Sequence, residues 1–170
     1  ITVLIKKRNT NVRKAIDMAI DKDSIVTDVL FSHAKPVSTP VFEGAWCYNE
    51  NIKPSYNVEQ AKLILNKEGY TPDVNTGILQ KEGAAVNKFS FNILVNNDNN
   101  FRIQVANKIS ENLKYIGIDC QVKIVSYEEY RDCFYNKTYE AFLGSLPMSY
   151  DFDLTMFMGK NNVSNYYSQK

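Results

Sequence analysis

The residues of this chain that could carry acid–base or nucleophilic chemistry are few, and they form no recognised catalytic pattern. The one histidine is His33, and a Ser-His-Asp or Cys-His device would depend on it, although nothing in the sequence places a nucleophile beside it. The seven glycines are scattered singly, so there is no glycine-rich phosphate loop, and GxSxG and HExxH motifs are also missing from the sequence. The sequence therefore predicts a protein that is not an enzyme and that holds no cofactor and no catalytic metal.

Two pairs of carboxylates could in principle act as acid and base. Glu128 and Glu129 follow Ser126 in a capping-box pattern, which favours the first turn of a helix, where anionic side chains suit the helix dipole. Asp151 and Asp153 follow a predicted strand, and two interpretations stay open for them: caps of a helix that starts near Leu154, or groups that face a ligand.

The cysteines and the charge exclude further classes. Cys47, Cys120 and Cys133 have no metal-ligand spacing, and Cys120 alternates with apolar residues, which favours a buried thiol over a disulfide. The net charge of +1 gives no reason to expect nucleic acid as a partner. The chain opens on a strand-like run at residues 1–5 without a signal or lipid-attachment pattern, which predicts a piece of a longer protein.

The elements that must position any site alternate between strands and helices. Apolar residues at helical spacing predict a helix from Val12 to Ile20, and Asp23 is a candidate N-cap for the next one. Further helices are predicted at 57–69, with Asn57 as N-cap, at about 100–116 and after Ser126, and strands at 89–96, 119–125 and 139–146. Residues 77–80 could pair with 89–96 as a hairpin. This alternation indicates one α/β domain over residues 1–170, built in layers.

Several of these stretches, read as strings, resemble one family in the order in which that family carries them. The resemblance covers nearly the whole chain and rests on the following groups: Val12-Arg13-Lys14-Ala15-Ile16 with Ala19-Ile20-Asp21-Lys22; Lys35-Pro36 and Gly44-Ala45-Trp46; Tyr56; Ala61-Lys62-Leu63-Ile64-Leu65 with Gly69-Tyr70; Gly77-Ile78-Leu79, Gly83 and Phe89-Ser90-Phe91; Arg102, Ala106, Ile109 and Leu113 with Gly117-Ile118-Asp119; Tyr139-Glu140-Ala141-Phe142-Leu143-Gly144. The chain is similar to the second lobe of the extracellular solute-binding proteins of oligopeptide- and dipeptide-type ABC importers, known as family 5.

The resemblance implies a periplasmic-binding-protein-like lobe, a layered mixed sheet flanked by helices, whose first lobe lies outside this chain. It further implies that the two lobes close on a peptide and deliver it to membrane permease subunits. It implies an extracellular or periplasmic location, with lipoprotein anchoring of the full-length protein.

The resemblance also implies a ligand site after the last strand, but the chain departs from the family there. The tryptophan that many members carry after the Gly144 position is absent, and Met148 stands where their amine-binding aspartate would be. Asp151 or Asp153 is a candidate for a displaced carboxylate. The predicted ligand-binding residues are Pro147, Met148, Ser149, Tyr150, Asp151 and Asp153, followed by Asn96, Asn97 and Trp46.

Two alternatives remain open from the sequence. One is a binding protein of the same fold for nickel, haem or an oligosaccharide, since residues of the other lobe also choose the ligand. The other is a small self-contained α/β enzyme, which would need a polar cluster in a pocket around His33 or a carboxylate pair.

Overall fold

The computed structural model describes residues 2–5, 9–39, 41, 43–52, 55–83 and 88–145. Within these ranges the chain forms, in order, β1 (Thr2–Ile5), α1 (Thr10–Ala19), α2 (Lys22–Ser24), a π-helix (Ile25–Val29), α3 (Val58–Lys67), β2 (Thr71–Pro72), β3 (Leu79–Gln80), β4 (Ser90–Asn96), α4 (Asn100–Tyr115), β5 (Asp119–Val125), α5 (Tyr127–Tyr135) and β6 (Ala141–Gly144). No helix among them is long and apolar enough to cross a membrane.

Local capping signals fix most of the helix starts. The Asn57 side chain accepts from the Gln60 N–H at 2.8 Å, and Ser126 accepts from the Glu129 N–H at 3.2 Å, so both predicted N-caps are confirmed. The prediction for Asp23 was wrong. Asp21 caps α2 instead, because its carboxylate accepts from the Ser24 N–H at 2.9 Å, and the chain then widens into the π-helix.

A four-stranded mixed sheet with the strand order β1-β6-β4-β5 forms the centre of the fold. Strand β4 runs parallel to both β5 and β6, whereas β1 is antiparallel to β6 with Thr2 opposite Gly144. The predicted mixed sheet is therefore confirmed.

The two faces of this sheet carry separate apolar layers. Phe91, Ile93 and Val95 alternate along β4 and pack with the buried faces of α1, α3 and α4 in the main core. Leu94 points to the opposite face, where it joins Phe142 and, from α5, Tyr130 in a second cluster. Helices thus cover both faces, as the sequence predicts for a layered fold.

The predicted hairpin between residues 77–80 and 89–96 is confirmed only in part. Gln80 forms an antiparallel bridge to Lys88 and the Phe89 N–H donates to the Leu79 carbonyl at 2.6 Å, but strand β3 pairs with β2 and not with β4. The reason is local, because Asp73 accepts from the Thr76 N–H and hydroxyl at 2.8 and 2.7 Å and closes the turn that joins β2 to β3.

The predicted burial of Cys120 is confirmed, since this residue is fully buried on β5. Cys47, Cys120 and Cys133 are free thiols in this structure. Burial raises the pKa of the Cys120 thiol to about 12.

Candidate functional site

The carboxyl ends of three strands meet at one edge of the central sheet. Strand β4 ends at Asn96, which lies opposite Val125 at the end of β5, and β6 ends beside them at Gly144. The start of β1 lies at the same edge, since Thr2 pairs with Gly144. Open α/β sheets bind ligands in the crevice outside the carboxyl ends of their strands, so this edge is the candidate site.

One arginine ties the strand ends together at this edge. Arg102, in the first turn of α4, donates one guanidinium N–H to the Asn96 side-chain oxygen and another to the Ser145 hydroxyl at 3.3 Å. The Asn96 side chain is 2% exposed, so its carboxamide needs an internal partner. Asn99, the N-cap of α4, accepts from the Arg102 N–H at 2.9 Å and fixes the start of the helix.

The same guanidinium reaches from the α4 layer to the cluster on the other face. Its carbon lies 5.8 Å from the centre of the Tyr130 ring, which stacks on Phe142 with ring centres 4.3 Å apart. The Tyr130 hydroxyl donates to the Leu143 carbonyl at 2.9 Å. Burial raises the pKa of Tyr130 to about 12, against the opposing charge of Arg102.

A half-open cleft of about 340 Å³ lies beside Arg102. It is lined by Leu30, Phe31, His33, Ala34, Asn99, Phe101, Arg102 and Ser145. Phe31 and Ser32, which follow the π-helix, both have left-handed backbone conformations with φ of 49° and 61°. A bulky residue in this region costs about 1–3 kcal/mol, and such strain clusters at binding sites.

The structure brings some of the predicted ligand residues together and separates others. Asn96 lies at the edge itself, and Asn97 is exposed next to it, with its N–H donating to the Val125 carbonyl at 2.9 Å. Trp46 is 85% exposed and does not line the cleft. The predicted residues Pro147, Met148, Ser149, Tyr150, Asp151 and Asp153 lie outside the described residues.

Sequence reasoning missed the role of Arg102 and the aromatic walls of the cleft. The signal for Arg102 was a charged side chain at the first position of the apolar stripe of α4, where a core residue would be expected. The sequence gives no signal for Phe31, because no residue pattern around it predicts a left-handed backbone conformation for a phenylalanine.

Across the described parts of the chain, no group of three or more His, Cys, Asp or Glu side chains is arranged to hold a metal ion. The cleft offers hydrogen-bonding groups and apolar walls: the Asn99 carboxamide, the Arg102 guanidinium, the His33 imidazole and the Ser145 hydroxyl beside the rings of Phe31 and Phe101. This set can bind and orient a ligand.

A layered α/β lobe with binding groups at the carboxyl edge of its sheet is the architecture of a solute-binding-protein lobe. The chain belongs to the bacterial extracellular solute-binding proteins, family 5, whose middle region matches residues 6–168.

Relatives within this family include binders of different ligands. Over 123 residues the chain is 34% identical to the oligopeptide-binding protein AppA of Bacillus subtilis. This alignment covers 71% of this chain and 22% of AppA. Over 68 residues it is 35% identical to the nickel-binding protein NikA of Staphylococcus aureus, covering 40% of this chain and 14% of NikA. The chain thus matches between about a fifth and a third of AppA in the sequence and structure comparisons.

Solved structures share the fold. AppA from Bacillus subtilis in complex with a nonapeptide superposes with a TM-score of 0.80 at 27% identity, over 91% of this chain and 32% of AppA. NikZ from Campylobacter jejuni in complex with Ni(L-His) gives 0.77 at 23% identity, over 91% of this chain and 31% of NikZ.

Proposed function

We propose that this chain is the second, ligand-binding lobe of a two-lobe solute-binding protein that captures oligopeptides for an ABC importer. The observation that carries the proposal is the 34% identity to the oligopeptide-binding AppA across 71% of the chain. The whole protein closes its lobes on the peptide and hands it to permease subunits, outside the cell or in the periplasm, anchored as a lipoprotein. No chemical step on the ligand is part of this role.

The geometry of the carboxyl edge supports this function. An extended peptide offers N–H and C=O groups along its length, and a solute-binding protein holds them with fixed polar groups and closes over them. Arg102 supplies such a group beside the strand ends, held in place by its hydrogen bond to the buried Asn96 side chain. Ser145 directly precedes the segment that holds the predicted contacts Pro147 to Asp151.

The test is native mass spectrometry of the full-length protein purified from its host, followed by calorimetry with whatever ligand it carries. We expect co-purified peptides of several residues and an exothermic titration with the same peptides. A protein that carries no peptide and gives no heat with a peptide library would contradict the proposal.

The two-lobe part of the proposal has its own test. The 170-residue chain alone should bind the same peptide far more weakly than the full-length protein, because half of the contacts and the enclosure are missing. Micromolar affinity for the chain alone would contradict capture by closure of two lobes.

Nickel is the second candidate ligand, because NikA of Staphylococcus aureus is 35% identical over 68 residues. In the same mass spectra this alternative predicts nickel, bare or as a small chelate, in place of peptide. Haem or an oligosaccharide at that position would likewise favour a non-peptide binder of the same fold.

A further inference from the structure

The cleft beside Arg102 exposes two aromatic rings next to each other. Phe31 is 65% exposed and Phe101 is 53% exposed, and both line the same cleft although they lie 70 residues apart in the chain. Single exposed apolar side chains are ordinary on protein surfaces, whereas apolar side chains gathered in a concave surface indicate a binding site. Leu30 and Ala34 extend the apolar lining.

The polar groups of the cleft are donors or neutral rather than anionic. Arg102 and His33 line it, and among the lining residues that the structure describes none is a carboxylate. The Arg102 Nε–H is buried and has no hydrogen-bond partner among the described residues, although the two terminal nitrogens of the same guanidinium are engaged. The charge of the cleft therefore complements a ligand that brings oxygen acceptors next to an apolar group.

The backbone holds Phe31 in place. The Ser32 N–H donates to the Val26 carbonyl at 3.0 Å and the His33 N–H donates to the Leu30 carbonyl at 2.8 Å, which closes the turn after the π-helix. Phe101 lies in the first turn of α4, whose start Asn99 fixes. Both aromatic walls thus stand on anchored segments, which lowers the entropy cost of binding.

We infer that the cleft between Phe31 and Phe101 is a specificity subsite that takes one bulky apolar side chain of the bound peptide, while Arg102 and His33 bind acceptor oxygens of the peptide beside it. This inference rests on the proposed function and adds the class of side chain that the lobe selects. The cleft volume of about 340 Å³ lies at the lower end of the roughly 300–1,000 Å³ that sites for whole small ligands span. A volume of this size fits one such side chain with a short piece of main chain.

The experiment uses the full-length protein and alanine-based nonapeptides that carry phenylalanine at each position in turn, with the all-alanine nonapeptide as reference. At one position the wild-type protein should bind the phenylalanine peptide about tenfold or more tightly than the reference, as expected for burying an aromatic side chain. The variants Phe31→Ala and Phe101→Ala should bring this ratio close to one.

Matched variants separate binding from folding. Tyr115→Ala removes a 73% exposed ring from the far end of the same helix, about 20 Å from Phe101 at 1.5 Å per residue, and should leave the ratio unchanged. Phe31→Gly suits the left-handed backbone, so it should abolish the preference without lowering Tm.

The results distinguish failure of the side-chain subsite from failure of the proposed peptide-binding function. Peptide binding by the wild-type protein with no preference for phenylalanine at any position, or a preference that persists in both Phe variants, would overturn the subsite and leave the proposed function standing. A wild-type protein that binds none of the peptides and also gives no heat with a peptide library would overturn the proposed function, and the subsite with it.

Discussion

Replacement of Arg102 by methionine is expected to destabilise the protein far more than loss of a surface charge should. Methionine keeps the apolar stem of the side chain about as far as the Nε position, so the substitution removes mainly the guanidinium. The matched control is Arg131→Met, whose guanidinium pairs with Asp132 at 3.4 Å while both side chains are more than half exposed.

The magnitude follows from three contacts of the guanidinium. Loss of its hydrogen bond leaves the Asn96 oxygen buried without that donor, which costs about 1–3 kcal/mol. The position over the Tyr130 ring, with 5.8 Å to its centre, contributes about 0.5–1 kcal/mol. The 3.3 Å bond to the exposed Ser145 hydroxyl adds a few tenths of a kcal/mol at most. The sum is about 1.5–4 kcal/mol, against about 0–0.5 kcal/mol for the control.

Urea unfolding followed by far-ultraviolet circular dichroism is the suitable assay. The only tryptophan, Trp46, is 85% exposed and reports poorly on the core by fluorescence. Arg102→Lys should recover little of the loss, because one ammonium group cannot reach two acceptors with the fixed fork of a guanidinium. In a double-mutant cycle with Asn96→Ala, the coupling energy should be about 1–2 kcal/mol.

Two results would refute this reasoning. The first is a free energy of unfolding for Arg102→Met within about 0.5 kcal/mol of that for Arg131→Met, which is the usual scale of neutral surface changes. The second is additive effects of the two substitutions in the cycle with Asn96→Ala. Either outcome would mean that the guanidinium does not hold the strand ends together in solution.

Three further predictions concern the scaffold around the site. Leu65→Ala should lower the free energy of unfolding in urea by about 2–5 kcal/mol, because Leu65 is fully buried in α3. Leu63 is 57% exposed in the same helix, so Leu63→Ala should lower it by under about 1 kcal/mol, and equal losses would contradict the burial pattern. Gly117→Ala should destabilise the protein by about 1–3 kcal/mol more than Gly69→Ala. Both glycines follow helices with φ of +86°, but only at Gly117 would an added Cβ come within 2.8 Å of a backbone oxygen. Similar unfolding midpoints for the two variants would show that the β2–β3 turn moves to accept the methyl group. The pKa of Tyr130 is raised to about 12 in the folded state, so the folded protein keeps this proton above pH 10, where the unfolded chain loses it. Between pH 10 and 12 the free energy of unfolding of the wild-type protein should therefore fall by up to about 2–3 kcal/mol relative to Tyr130→Phe. A constant difference between the two proteins would show that the hydroxyl ionises equally in both states.

The elements were predictable where local chemistry decides them. Asn57 and Ser126 begin helices because a short polar side chain accepts from an N–H three residues on, and this spacing is visible in the sequence. The burial of Cys120 followed in the same way from alternation along a strand. The cap at Asp21 was missed because Asp21 and Asp23 are both acceptable caps, and only the packing of the following turn chooses between them.

The long-range pairings and the cleft were not predictable from such signals. The antiparallel pairing of Thr2 with Gly144 joins residues from opposite parts of the chain, and no local pattern encodes it. The left-handed backbone at Phe31 depends on the π-helix before it, which the regular spacing of apolar residues does not distinguish from an α-helix.

Arg102 explains why the site and the fold depend on the same side chain. The apolar stripe of α4 faces the main core, and Arg102 takes the first position of this stripe, at the start of the helix. A guanidinium at that position reaches around the edge to Asn96 on one strand end, to Ser145 after another and to the Tyr130 ring on the opposite face. Arg102 and the two exposed phenylalanine rings line one cleft. If the proposed function holds, Arg102→Met should therefore weaken peptide binding and stability together, whereas Phe31→Gly should weaken binding alone.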